Sequence, residues 1–102
     1  MIVYNETYVV DEAIHQQWLN WMQAEQLPAI MKTGWFNSFS ILTVLDSPNE
    51  GMTYCVQFVT DSLESYNYFR NKHLQWFHQL LNQRFENKFV VFNSLMQRID
   101  QP

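Results

Sequence analysis

Glycine is scarce in this chain: two residues in 102, alongside three prolines and one cysteine. Collagen-like and low-complexity architectures need far more glycine and proline. The single thiol, Cys55, cannot close an internal disulfide or build a multi-cysteine metal site. Charge is scarce too, at 16% of residues against roughly 25% in an ordinary soluble domain. The six Lys and Arg residues are scattered singly from Lys32 to Arg98, whereas a phosphate backbone is held by clustered basic side chains. Ten acidic residues bring the net charge to −4, so neither nucleic acid nor an anionic membrane surface is expected as a partner. No apolar run approaches the roughly 18 residues of a membrane helix. The start, MIVYNETYVV, has no basic segment and carries Glu6 inside its apolar stretch, unlike a secretion signal. A cytoplasmic location is the expectation.

Apolar and aromatic side chains are what the chain has in plenty. Apolar residues make up 47% and aromatic ones 17%, with eight Phe, five Tyr and four Trp. Disorder needs low hydrophobicity and high net charge, and this chain has neither. Its length suits one hydrophobic core, so residues 1–102 are expected to form a single domain.

The order of elements can be read from periodicity. Residues 2–10, IVYNETYVV, are β-branched and aromatic and end at Asp11, which predicts a strand followed by an N-cap. Ile14, Trp18, Trp21 and Met22 recur at helical spacing. Pro28 interrupts that stripe, and Gly34 is placed to close the helix. Trp35 to Leu45 and Thr53 to Thr60 read as a hairpin around the turn Asp46-Ser-Pro-Asn-Glu-Gly51. Asp61 with Glu64 reads as a capping-box variant opening a second helix, whose face is Tyr66, Phe69, His73, Phe77 and Leu80. Asn87 ends it, and Lys88 to Met96 is the last strand.

The order β-α-β-β-α-β predicts an α+β, ferredoxin-like fold: a four-stranded antiparallel sheet with two helices on one face. Such a sheet should show a polar outer side. Here Val90, Val91 and Phe92 are consecutive, and Tyr54, Cys55 and Val56 nearly so. An apolar second face is covered most simply by another copy of the chain, which predicts a homodimer packed sheet to sheet.

The chain resembles a family of uncharacterised bacterial proteins, a domain of unknown function within the dimeric α/β-barrel superfamily of ferredoxin-like subunits. The likeness rests on IVYNETYVVDE, WLNWMQAEQLPAIMKTGWF, GMTYCVQFVT and KFVVFNSL. The segment DSLESYNYFRNKHLQWFHQLL also resembles the second helix of the antibiotic-biosynthesis and haem-degrading monooxygenases. The haem-degrading branch places an Asn on the first strand and a Trp and a His on the second helix. By position these fall on Asn5, Tyr68 and His78, with a tyrosine where the branch has tryptophan. The resemblance therefore implies haem as an alternative to a protein that uses no cofactor. Ten residues of helix leave Tyr68 and His78 about 80° apart in rotation, on neighbouring faces.

The residues themselves suggest a site more loosely. Asn5 stands mid-strand where apolar residues are expected, and its amide could orient a ligand. The bland alternative is a hydrogen-bonded structural amide. Trp18, Trp76 and Tyr68 belong to an aromatic set that could be core or could line a pocket for a flat, apolar ligand. His78 could be a general base or an exposed helix histidine. His73 and His78 are five residues apart, wrong for chelating one metal, so no metal site is expected. Cys55 has no cationic neighbour in sequence and reads as core. RNA binding through this element order would need a basic, Gly-Phe-rich third strand. Two readings stay open: a small homodimeric domain binding a small aromatic or apolar molecule between sheet and helices, or a monooxygenase-type enzyme, cofactor-independent or haem-degrading.

Overall fold

A computed structural model describes residues 1–48 and 50–100. Strand β1 (Ile2–Val10) leads to a first helical unit, in which α1 (His15–Trp21) and α2 (Leu27–Lys32) are joined by a π-helical turn at Met22–Gln26. Strands β2 (Ser38–Thr43) and β3 (Met52–Thr60) form the hairpin. The second helical unit joins α3 (Leu63–Phe69) to α4 (Gln75–Phe85) through a π-helical turn at Arg70–Leu74, and β4 (Phe89–Gln97) closes the chain. The sheet is antiparallel with spatial order β2-β3-β1-β4. This is the ferredoxin-like arrangement, with β1 and β3 in the middle and β4 on an edge. No helix among the described residues is long and apolar enough to cross a membrane.

Strand alternation divides the sheet. Tyr4, Tyr8 and Val10 of β1 and Val56 and Phe58 of β3 face the helices and are buried. They pack against Trp18, Met22, Leu27, Phe69 and Leu81. Full burial of side chains of this size contributes about 1.5–3 kcal/mol each.

Several local expectations are corrected in detail. Asp11 does not cap α1: its Oδ1 accepts from the Ala13 N–H at 2.9 Å, holding a turn that precedes the helix by four residues. Ser62, not Asp61, caps α3, accepting from the Ser65 N–H at 3.1 Å, while Asp61 accepts from the Asn37 amide at 3.0 Å. Pro28 does not break the first helical unit. Its missing N–H and its ring need room against the turn before it, and the wide turn ending in the Leu27 N–H to Met22 O bond provides it. The buried face of the second unit runs through Leu81, with Leu80 only half-buried. Gly34 and Asn87 take positive φ, at 83° and 63°, and end the two units as expected. The expected strand from Trp35 begins only at Ser38. Of the expected turn at 46–51, Asn49 lies outside the described residues.

Candidate functional site

The centre of β1 places a carboxylate where the core is otherwise apolar. Glu6 lies on the helix side of the strand, 3% exposed, between Tyr4 and Tyr8 on the same face. Tyr8 donates its hydroxyl to Glu6 Oε1 and Tyr4 to Oε2, both at 2.8 Å. From α4, His78 Nε2 meets Oε2 at 2.7 Å. A buried carboxylate is tolerated when its oxygens are occupied by donors, and here three donors converge on it. Burial, and then the adjacent Glu6 charge, push the Tyr4 and Tyr8 hydroxyls far above the ordinary phenol range. Both stay protonated and can only donate to the carboxylate.

His78 is the accessible member, with 29% of its side chain exposed. The contact of Nε2 with the carboxylate orients the imidazole and leaves Nδ1 as its outward nitrogen. Nδ1 has no partner among the described residues. Beside it, the edge strand extends past the helical cover. Asn93 pairs in register with Glu6 and Leu95 with Tyr4, so both point to the helix side, yet both are exposed. A buried acid, an oriented base and an open, partly apolar strand edge therefore lie together. Chemically, such a pair can accept a proton from a bound molecule or hold its hydroxyl.

The five residues expected to form a site are not gathered. Asn5 points to the opposite side of the sheet, where its Nδ2 donates to Thr7 Oγ1 at 2.9 Å. Trp18 is fully buried core, its ring 5.0 Å from Tyr8 and 5.1 Å from Tyr54. It borders the Glu6 cluster through the Tyr8 ring. Trp76 is 60% exposed on the outside of α4. Tyr68, 44% exposed, lies 4.1 Å from the ring of Trp35. Rotation alone would allow Tyr68 near His78, but ten residues of helix also rise about 15 Å. The trio Asn5, Tyr68 and His78 thus does not surround one haem-sized space, and His78 Nε2 is committed to Glu6. Among the described residues no three His, Cys, Asp or Glu side chains could hold a metal ion. A hollow of about 490 Å³ elsewhere on the surface is lined by Asn82, Gln83, Glu86, Asn87 and Phe89.

Glu6 went unrecognised although its signal is in the sequence. A carboxylate flanked at both i−2 and i+2 by tyrosine, on a strand, puts two phenols and an acid on one face. That face is buried here, so the acid must be partnered.

The sequence matches the family described as Domain of unknown function (DUF4286) over residues 1–99. The chain belongs to that family. A comparison with curated proteins finds no match. Among solved structures, HapK from Hahella chejuensis is similar with a TM-score of 0.71 and 12% identity, covering 100% of this chain and 96% of that one. SnoaB from Streptomyces nogalater, described as a cofactor-independent oxygenase, is similar with a TM-score of 0.70 and 9% identity, covering 98% and 94%. A dimeric ferredoxin-like protein from an uncultured marine organism gives 0.69 and 16%, covering 99% and 97%. At these identities the likeness establishes the fold of this DUF4286 chain, which the β2-β3-β1-β4 sheet already shows.

Proposed function

We propose that this DUF4286 protein is a homodimer, packed sheet to sheet, that binds a small aromatic or apolar molecule between sheet and helices. The molecule would carry an acidic hydroxyl or C–H group. The observation that carries this reading is the Glu6–His78 pair at 2.7 Å, anchored by Tyr4 and Tyr8, with the partly exposed imidazole leaving Nδ1 without a partner among the described residues. Exposed Leu95 next to Asn93 gives an apolar body somewhere to rest, and apolar walls with a few convergent polar groups are the usual make-up of such sites. The dimer is supported by the exposed Val90, Phe92 and Met96 on the outer side of β4 and by the fold shared with a dimeric ferredoxin-like protein.

A titration of imidazole-¹⁵N-labelled protein with 1-naphthol tests the binding site. Saturable movement of the His78 Nδ1 resonance, lost in Glu6→Gln, is the expected result. Movement of other histidines alone would place the molecule elsewhere.

The second reading, an oxygenase, is favoured by the same Nδ1. A base that removes a proton from an acidic C–H leaves a carbanion able to give an electron to O₂, which is what oxygenation without a cofactor requires. SnoaB, of similar fold, is described as a cofactor-independent oxygenase. Dithranol, an anthrone, would be converted with one O₂ to the anthraquinone and water. An oxygen electrode separates the readings, because a binding protein leaves the uncatalysed rate unchanged.

A further inference from the structure

The second helical unit carries a line of residues at intervals of four: Tyr66, Arg70, Leu74 and His78. In a regular α-helix twelve residues turn about 1,200°, leaving the ends of that line roughly 120° apart. The π-helical turn at Arg70–Leu74 takes up an extra residue. Twelve residues then cover the rotation of about eleven, and the ends fall roughly 20° apart. The contacts agree with this alignment. Tyr66 lies 5.1 Å ring to ring from Tyr4, and His78 meets Glu6 on the same face of β1. Phe69 packs on Phe36, which precedes β2, and His73 on Phe69. The line from Tyr66 to His78 therefore flanks the opposite side of the helical unit, beside the exposed Leu95 and Asn93 of β4.

That line holds unused polar groups next to the Glu6–His78 pair. Arg70 is exposed and makes no ion pair or hydrogen bond among the described residues. Tyr66 is 6% exposed, and its hydroxyl has no hydrogen-bond partner among them either. Burial raises that hydroxyl above the ordinary phenol range, while Arg70 pulls it partly back and Glu6 pushes it up. The phenol thus senses both charges and stays protonated as a donor. Neither this line nor the helix side of β4 supplies an acid to neutralise the guanidinium. Glu6 is already occupied by three donors.

We propose, building on the binding reading above, that Arg70 and Tyr66 hold the charged end of the ligand, an aromatic carboxylate with its acidic hydroxyl at the far end. The guanidinium matches the two oxygens of a carboxylate as a fork, and the Tyr66 hydroxyl adds a third donor. His78 Nδ1 takes the hydroxyl, with Leu74 and Leu95 along the ring between them. Arg70 and His78 are eight residues apart, at most about 12 Å along the axis. That span suits a substituted aromatic ring with a hydrogen bond at each end.

One unpaired cation suits a monoanion. A phosphate dianion would call for a second, and Lys72, two residues on, is turned by roughly 160° from Arg70. An exposed ion pair alone contributes little. Here the pair is two-pronged and joined by a buried phenol, so the carboxylate should raise affinity about tenfold over the same molecule without it.

Calorimetric titration with 6-hydroxy-2-naphthoate and with 2-naphthol tests this, since the two differ only in the carboxylate. The parent should bind the naphthoate about tenfold more tightly. Arg70→Met should abolish that preference and leave the affinity for 2-naphthol unchanged, whereas Lys72→Met should leave the preference intact. Arg70→Lys, which keeps the charge and loses the fork, should give an intermediate preference. Both positions are exposed, so the fold does not depend on them. Equal affinities in the parent overturn the role of Arg70. So does a preference that survives Arg70→Met, or one that Lys72→Met removes as well. The binding site still stands in those cases if 2-naphthol moves the His78 Nδ1 resonance. If neither molecule moves that resonance, the site itself fails, and the assignment of Arg70 with it.

Discussion

Glu6 Oε2 and His78 Nε2 stand 2.7 Å apart across the junction of β1 and α4, and Glu6 is the buried partner. The two residues therefore should not be equivalent to mutation. Glu6→Gln removes the charge, leaves a single acceptor oxygen for two buried phenols and puts an NH2 donor among donors, costing about 1–3 kcal/mol. His78→Ala opens a position that water can reach from the strand edge, and Tyr4 and Tyr8 still hold the carboxylate. Urea denaturation should rank Glu6→Gln as the more damaging. The reverse order would mean that the imidazole, and not the pair of tyrosines, sustains the buried charge.

Alkali should find the same cluster. Burial first, and the Glu6 charge second, hold Tyr4 and Tyr8 far above the phenol range in the fold. In the unfolded chain they ionise at about pH 10. Below that pH both states keep the protons and stability does not depend on these groups. Above it the unfolded chain gives up protons that the fold retains, so stability falls as pH rises, by about 1.4 kcal/mol per pH unit for each buried tyrosine. Tyr54 and Tyr66, also raised by burial, add to the same fall, so Tyr4→Phe should remove one tyrosine's share of the slope above roughly pH 10. A slope unchanged by the substitution would place the alkaline sensitivity elsewhere.

The strands and helices were legible because their periods differ, and the β-α-β-β-α-β order left few topologies. The site was not, and the reason is parity. Where both faces of a strand are apolar, Val3 and Val9 compete with Tyr4 and Tyr8, and the sequence does not say which set meets the helices. Asn5 and the Glu6 cluster lie on opposite sides of the sheet, since neighbours on a strand point oppositely. On the second helical unit, rotation suggested that Tyr68 and His78 share a wall, and the rise between them went unweighed. The aromatic set was rightly seen as large, but most of it is consumed by stacking within the core, as with Trp18 on Tyr54.

The two glycines make a paired test of backbone against space. Both have positive φ, 83° at Gly34 and 87° at Gly51. A Cβ on Gly34 would meet nothing within 4 Å, whereas one on Gly51 would lie 2.5 Å from the Val10 carbonyl oxygen. Gly34→Ala should therefore cost only the left-handed backbone, about 1 kcal/mol, and Gly34→Val somewhat more. Gly51→Ala must also move a main-chain oxygen of β1 and should lower Tm further than Gly34→Ala. Equal losses would mean that the loop before β3 shifts at little cost.

The last expectation concerns two consecutive residues of β4 and decides which side of the sheet associates. Phe92 pairs in register with Thr7 and points outward, 59% exposed, while Val91 pairs with Tyr8 and packs on the core. Phe92→Asp would place an unpaired charge in a desolvated sheet-to-sheet interface, a penalty of several kcal/mol. In the separated protomer that side chain is in water, so the fold itself should be little affected. Light scattering should show a monomer with native circular dichroism. Val91→Asp should act through the core instead, lowering Tm while the folded fraction still associates. If Phe92→Asp remains a dimer at micromolar concentration, the outer face is not where the copies meet, and the exposed side chains of β4 serve another contact.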